Sequence, residues 1–148
     1  MKRLLDLVAA SIGIAILWPI IAVAIVMVRR ETPGPGIFRQ IRVGRHQQPF
    51  MLYKIRTMHV GTAQDATHQI GASACTKIGA WARRYKIDEL PQLFNVIRGD
   101  MSLVGPRPCL PVQFELIEAR QREGAFEALP GITGLAQVQG VDMSEPVR

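Results

Sequence analysis

The sequence is short of cysteine, of repeat periodicity and, over one long stretch, of charge, and each shortage closes off a class of protein. Its two cysteines, Cys75 and Cys109, form no CxxC pair and stand at no ligand spacing from a histidine. That excludes a disulfide scaffold and a zinc module, and reduced thiols facing a cytoplasm are expected. The 13 glycines and 10 prolines show no period, which excludes collagen-like and low-complexity chains. An apolar content of 48% excludes disorder, because that much burial can offset chain entropy, and 148 residues are the length of one domain.

The missing charge lies between Leu7 and Val28, an uncharged run of 22 residues. At about 1.5 Å per residue such a helix crosses a hydrocarbon layer of roughly 30 Å. Its flanks are symmetric, Lys2 with Arg3 before it and Arg29 with Arg30 after it, so neither end has the stronger claim to the cytoplasmic side. Pro19 sits near the middle, where its missing N–H and its ring disfavour a straight helix. Together these favour a re-entrant membrane helix broken at Pro19 over a kinked spanning helix. A signal peptide, with Ala22-Val23-Ala24 as its cleavage box, and a buried soluble helix are the remaining readings.

Charge returns with one sign. Residues 39 to 107 hold eleven basic and four acidic side chains, whereas residues 108 to 148 hold three and six. Glu31-Thr32-Pro33-Gly34-Pro35-Gly36 reads as a linker at the membrane surface. Ile37 to Val43 and Phe50 to Thr57 then read as a β-hairpin with a longer loop. Strand alternation puts Gln40 with Arg42 on one face and Lys54 with Arg56 on one face, four polar groups that can converge on an anion or form a solvated surface. Residues 59 to 75 read as a loop, and its His59 and His68, without metal-ligand spacing, as ordinary surface histidines. Ile78 to Lys86 is a short basic helix, whose cations face lipid headgroups or water.

The stretch from Asp88 to Gly99 is the most legible. Leu90, Leu93, Phe94 and Ile97 form one apolar helical face, with Asp88 as N-cap, Pro91 in the first turn and Gly99 past the end. A helix of about nine residues from Asp88 accounts for these signals without chemistry. Asp88 and Glu89 also suit a divalent metal and a diphosphate if Lys54, Arg56, Arg83, Arg84 and Arg107 surround them, and a carboxylate can attack phosphorus directly. Asp100 to Pro108 is a Pro-bracketed loop presenting the Arg107 fork, Pro111 to Glu127 an acidic amphipathic helix, and Pro130 to Gly134 a plain Gly-rich turn.

Six pieces in order resemble the bacterial sugar transferases, or monotopic phosphoglycosyl transferases: Lys2-Arg3 and Asp6 before the apolar segment, Gln40 to Gly44, Lys54 to Met58, Asp88 to Leu93, Gly99 to Pro108 and Pro130 to Val138. The resemblance implies transfer of a sugar 1-phosphate from a UDP-sugar to polyprenyl (undecaprenyl) phosphate, with UMP released and lipid-linked glycan assembly begun. It implies Asp88 as nucleophile forming a covalent aspartyl-phosphosugar, Glu89 as partner of an essential Mg²⁺, and Arg42, Lys54, Arg56 and Arg107 as donor-binding residues. It implies a re-entrant helix broken at proline, although Trp18 stands where serine often precedes that proline. It also implies a further segment beyond Gly140-Val141-Asp142-Met143, whereas this chain stops at Arg148.

The expected architecture is therefore α+β. A re-entrant membrane helix over 1–30, broken at Pro19, precedes a small, mainly helical cytoplasmic catalytic domain with a short β-hairpin over 31–148. Membrane phospholipid is an expected partner, nucleic acid is not, and a homodimer is left open. The expected location is the bacterial inner membrane, with the catalytic domain on its cytoplasmic face. A basic membrane-tethered binding module and an inactive truncated homologue are the competing readings.

Overall fold

A computed structural model describes residues 1–61 and 74–138. A 30-residue helix, α1 (Lys2–Glu31), leads into an antiparallel hairpin of β1 (Ile37–Val43) and β2 (Pro49–Ile55). Then follow α2 (Lys77–Arg84), α3 (Gln92–Arg98), β3 (Ser102–Val104), α4 (Phe114–Arg122), β4 (Gly131–Thr133) and a last turn of helix, α5 (Leu135–Val138). Helix and strand mix as expected. The expected loop at 59–75 lies largely outside the described residues, as do His68 and Gly140 to Met143.

The expected break at Pro19 is not an interruption of the helix: α1 runs through it. Pro19 is on the exposed side of α1. The buried stripe of Asp6, Ala10, Ile21, Ala24 and Val28 continues on both sides of it. Packing along that stripe holds the helix against the roughly 3 kcal/mol that an internal proline costs. Near the start, Ala10 joins Leu52, Leu93, Val96 and Met101 in one core; near the end, Ala24 and Val28 join Ile55 in another. The opposite face, including Leu4, Val8, Ile12, Ile16, Trp18 and Val23, is apolar and uncovered.

Both ends of α1 are tied to this one body. Arg3 donates to the carbonyls of Val96 (2.7 Å) and Met101 (3.2 Å), satisfying acceptors around the end of α3. The Asp6 carboxylate accepts from the Ser102 hydroxyl (2.8 Å) and the Leu103 N–H (3.3 Å), and Lys2 donates to both Asp6 and Ser102.

The hairpin register pairs Gln40 with Leu52, Arg42 with Phe50 and Phe38 with Lys54, so Gln40, Arg42 and Lys54 share one sheet face. Two short strands were not anticipated. β3 and β4 pair in parallel, Ser102 opposite Gly131 and Val104 opposite Thr133, so Pro130 to Gly134 is not the plain turn expected. The close approach depends on glycine, since a Cβ on Gly131 would stand 2.1 Å from the Gly105 nitrogen.

Candidate active site

The Asp-Glu pair does not begin the helix. Asp88 and Glu89 lie in a 3₁₀ turn, Ile87–Glu89, and α3 starts at Gln92 with Pro91 as its N-cap. The expected capping role of Asp88 is thus corrected. Lys86 enters the turn in the left-handed region (φ 58°), and the Leu90 N–H closes it on the Ile87 carbonyl (3.2 Å). The other end of α3 stops as expected: Gly99 takes φ 97° and donates to Asn95 and Val96.

The two adjacent carboxylates are both buried and have unlike surroundings. Glu89 Oε1 accepts from Lys54 Nζ at 3.0 Å and from Arg107 Nη2 at 3.1 Å. Burial pushes the Glu89 carboxyl up, but the charges and hydrogen bonds of Lys54 and Arg107 more than reverse this and hold it below the ordinary range. Asp88 Oδ1 is buried with no hydrogen-bond partner among the described residues. Burial raises its pKa, the neighbouring Glu89 charge adds to the rise, and Lys54 and Arg83 only partly oppose it. Lys54 is itself lowered by burial, against the pull of Glu89.

A second cation stands behind Arg107. Arg42 donates from Nε (3.1 Å) and Nη2 (2.6 Å) to Gln40 Oε1, and from Nη1 (3.2 Å) to the Pro108 carbonyl. Burial and repulsion from Arg107 lower it to about 10. The Arg107 loop is fastened from two sides: the Val43 N–H donates to the Cys109 carbonyl (3.0 Å), and Arg120 donates to the Arg107 carbonyl. Three cations, Arg42, Lys54 and Arg107, therefore gather around two carboxylates and leave a positive excess suited to a phosphate-bearing ligand. Beside Arg107 lies a shallow surface depression lined by Gly44, Pro106, Pro108, Phe126 and Pro130.

The other anticipated cations have hydrogen-bond or ring partners outside the dyad, although the Arg83 charge still acts on Asp88. Arg56 follows β2 and points to the carbonyls at the end of α1, away from Glu89. Arg83 donates to the Thr57 hydroxyl (2.7 Å), and Arg84 lies 5.9 Å from the Tyr85 ring centroid. His59 is exposed.

Sequence reasoning named Gln40 as one of four groups facing an anion without reading its fastening role, and it did not single out Asn95. Gln40 orients Arg42, and the fully buried Asn95 accepts from the Tyr53 N–H (3.2 Å) while donating to the Met51 carbonyl (2.7 Å), locking α3 to the strand that carries Lys54. The available signal was an amide side chain amid the apolar residues of a short helix.

The family model for bacterial sugar transferase matches residues 1–147. A UDP-glucose:undecaprenyl-phosphate glucose-1-phosphate transferase of Caulobacter vibrioides is 46% identical over 144 residues, which are 95% of this chain and 54% of that protein. A putative undecaprenyl-phosphate N-acetylgalactosaminyl 1-phosphate transferase of Bacillus subtilis is 47% identical over 133 residues, 85% of this chain and 74% of that protein. A UDP-N-acetylgalactosamine-undecaprenyl-phosphate N-acetylgalactosaminephosphotransferase of Aeromonas hydrophila is 40% identical over 144 residues, 93% of this chain and 33% of that protein. The chain thus spans about half of the Caulobacter relative and a third of the Aeromonas one, and it belongs to the bacterial sugar transferase family.

Proposed function

We propose that the chain transfers a sugar 1-phosphate from a UDP-sugar to polyprenyl phosphate, undecaprenyl phosphate by analogy with its relatives' names, and releases UMP. The carrying observation is the unlike pair: Asp88 keeps an oxygen without a hydrogen-bond partner among the described residues, while Glu89 is held by Lys54 and Arg107. An unengaged carboxylate oxygen suits a nucleophile. It attacks the sugar-bearing phosphorus, the bond from that phosphorus to the bridging oxygen breaks, and UMP leaves with the electron pair. The aspartyl-phosphosugar then gives up its phosphoryl group to an oxygen of the lipid phosphate, which frees Asp88.

Lys54, Arg107 and Arg42 neutralise the donor's phosphates, with Gln40 holding the Arg42 fork in place. The site also suits Mg²⁺. Its donors are hard carboxylate oxygens, and among the described residues no three His, Cys, Asp or Glu side chains converge, so donor phosphates and water would complete the shell. Glu89 would hold the ion, which supplies charge neutralisation on the diphosphate when bound.

The uncovered apolar face of α1 supports membrane insertion, being long and apolar enough to cross a bilayer. Because Arg3 and Asp6 near one end and the Thr32 carbonyl just past the other bind the same body, a crossing perpendicular to the bilayer would pull that body into lipid. This favours α1 seated in one leaflet, with both ends at the cytoplasmic face of the inner membrane. The test is to mix the solubilised chain with Mg²⁺, undecaprenyl phosphate and a panel of UDP-sugars, measuring UMP apart from UDP. UMP that vanishes with Asp88→Asn supports the reading, whereas UDP would mean ordinary glycosyl transfer.

A further inference from the structure

We infer that Arg56 is a positioning residue that fastens the exit of α1 to the end of β2, with no part in binding the donor's phosphates; the meaning of its effect on turnover rests on the function proposed above. Its guanidinium donates from Nη1 to the Pro33 carbonyl (3.0 Å) and from Nη2 to the Thr32 carbonyl (2.7 Å) and hydroxyl (2.8 Å). The residue is only 7% exposed, and among the described residues it forms no ion pair. A buried cation without a carboxylate needs another source of negative potential. The end of α1 provides it, through carbonyls that lack intrahelical donors and the negative pole of the helix dipole.

Three details make this a built joint. The Arg56 N–H donates to the Gly36 carbonyl (2.8 Å), so main chain and side chain grip the same linker. Gly34 takes φ 121°, and a Cβ there would stand 2.5 Å from Arg56 Nη1, so glycine alone lets the linker close over the guanidinium. Arg56 Nε is buried without a partner among the described residues, so the edge of the guanidinium that a phosphate would grip is shut away from solvent. A diphosphate could reach this arginine only by displacing the carbonyls of the linker.

The joint also reaches the dyad. The Glu31 carboxylate accepts from the Lys77 N–H (2.8 Å) and the Ile78 N–H (3.1 Å) at the start of α2, the helix that leads into the Asp88 turn. Lys54 lies two residues before Arg56 on the same chain segment. The exit of α1 is thereby referenced to both halves of the site, and the seat of α1 in the lipid sets where the dyad stands.

The test uses the full chain in lipid nanodiscs, with Arg56→Gln, Arg56→Lys, Gly34→Ala and, for contrast, Lys54→Met. Three quantities are read: hydrogen exchange at the Arg56 amide, affinity for UDP with Mg²⁺ by calorimetry, and kcat with donor KM. Arg56→Gln and Gly34→Ala should each speed that exchange about tenfold or more. Both should lower kcat while leaving UDP affinity and KM within about twofold, with Arg56→Lys recovering most of kcat. Lys54→Met should do the reverse, weakening UDP binding with little change in exchange. The inference is overturned if Arg56→Gln weakens UDP binding about tenfold with exchange unchanged, or if Gly34→Ala changes neither exchange nor kcat. If the unaltered chain neither binds UDP nor releases UMP, the proposed function fails, and the exchange comparison still judges the joint. Should the glutamine variant not fold, Arg56→Lys and Gly34→Ala carry the same readouts.

Discussion

Lys54 near the end of β2 and Arg56 just past it are cations withdrawn from solvent, Lys54 partly and Arg56 fully, and they are neutralised in different ways. Lys54 meets a carboxylate, Glu89, which Arg107 also holds. Arg56 meets only peptide carbonyls and a hydroxyl at the exit of α1. The first arrangement has ionic partners that a charged ligand can exchange for its own oxygens. The second is bonded to main chain, and a ligand could enter only by unmaking the joint. Cation identity and strand position were the same evidence for both residues; the partner's chemistry separates a cation open to ligand exchange from a fastening.

The largest effect that sharpens this contrast is at the dyad. Asp88→Asn should lower UMP release at least about 10³-fold, since the carboxylate left in the dyad, Glu89, is engaged by Lys54 and Arg107. The same variant should be more stable than the unaltered chain at neutral pH without metal, as a melt in detergent would register, because it removes a buried charge whose Oδ1 lacks a partner. The sign follows from the raised pKa: the folded state holds the Asp88 proton more tightly, so its charge destabilises above that pKa. The advantage of asparagine should therefore shrink as the pH falls through the raised pKa and be gone below the ordinary carboxylate range. Glu89 runs the other way, its pairing stabilising above the ordinary carboxylate range and being lost as the pH falls through its depressed pKa.

Glu89→Gln comes next. It strands Lys54 and Arg107, and should cost about 3 kcal/mol in denaturant unfolding while flattening the Mg²⁺ dependence of activity. An unchanged Mg²⁺ titration would count against a metal role for Glu89. Arg107→Lys exchanges a planar fork for a point charge, and should raise donor KM about tenfold in steady-state kinetics with a smaller loss in kcat. The smallest effect belongs to Arg39, exposed on the strand face opposite Arg42: Arg39→Gln should stay within about twofold in both constants. A large loss there would break the claim that only the Lys54 face of the hairpin meets the donor.

Much of this was legible before the fold was known, and the exceptions have a common physical origin. The hairpin followed from alternation and a loop signal, and the stop of α3 from Gly99, because strand pairing and a left-handed cap are local properties. The proximity of Asp88, Glu89, Lys54 and Arg107 was also anticipated. What failed were inferences in which tertiary packing outweighs a local preference. Pro19 does not stop α1 because the buried stripe holds both sides of it. Asp88 is not a cap because the chain turns once before α3 begins at Gln92. β3 and β4 are three residues each, too short to alternate visibly, and their pairing depends on glycines far apart in sequence. Arg56 was grouped with the phosphate ligands by strand alternation and by the family resemblance, neither of which can say that its guanidinium meets the carbonyls at a helix end.

The central claim is that Asp88 is the nucleophile, and the intact mass of the protein tests it most directly. With Mg²⁺ and a UDP-sugar but no lipid acceptor, the account predicts a mass gain equal to one sugar phosphate, released by adding undecaprenyl phosphate and absent in Asp88→Asn. The same adduct formed on the Asp88→Asn chain, or lipid-linked product released with no adduct on the unaltered chain during turnover, would contradict it.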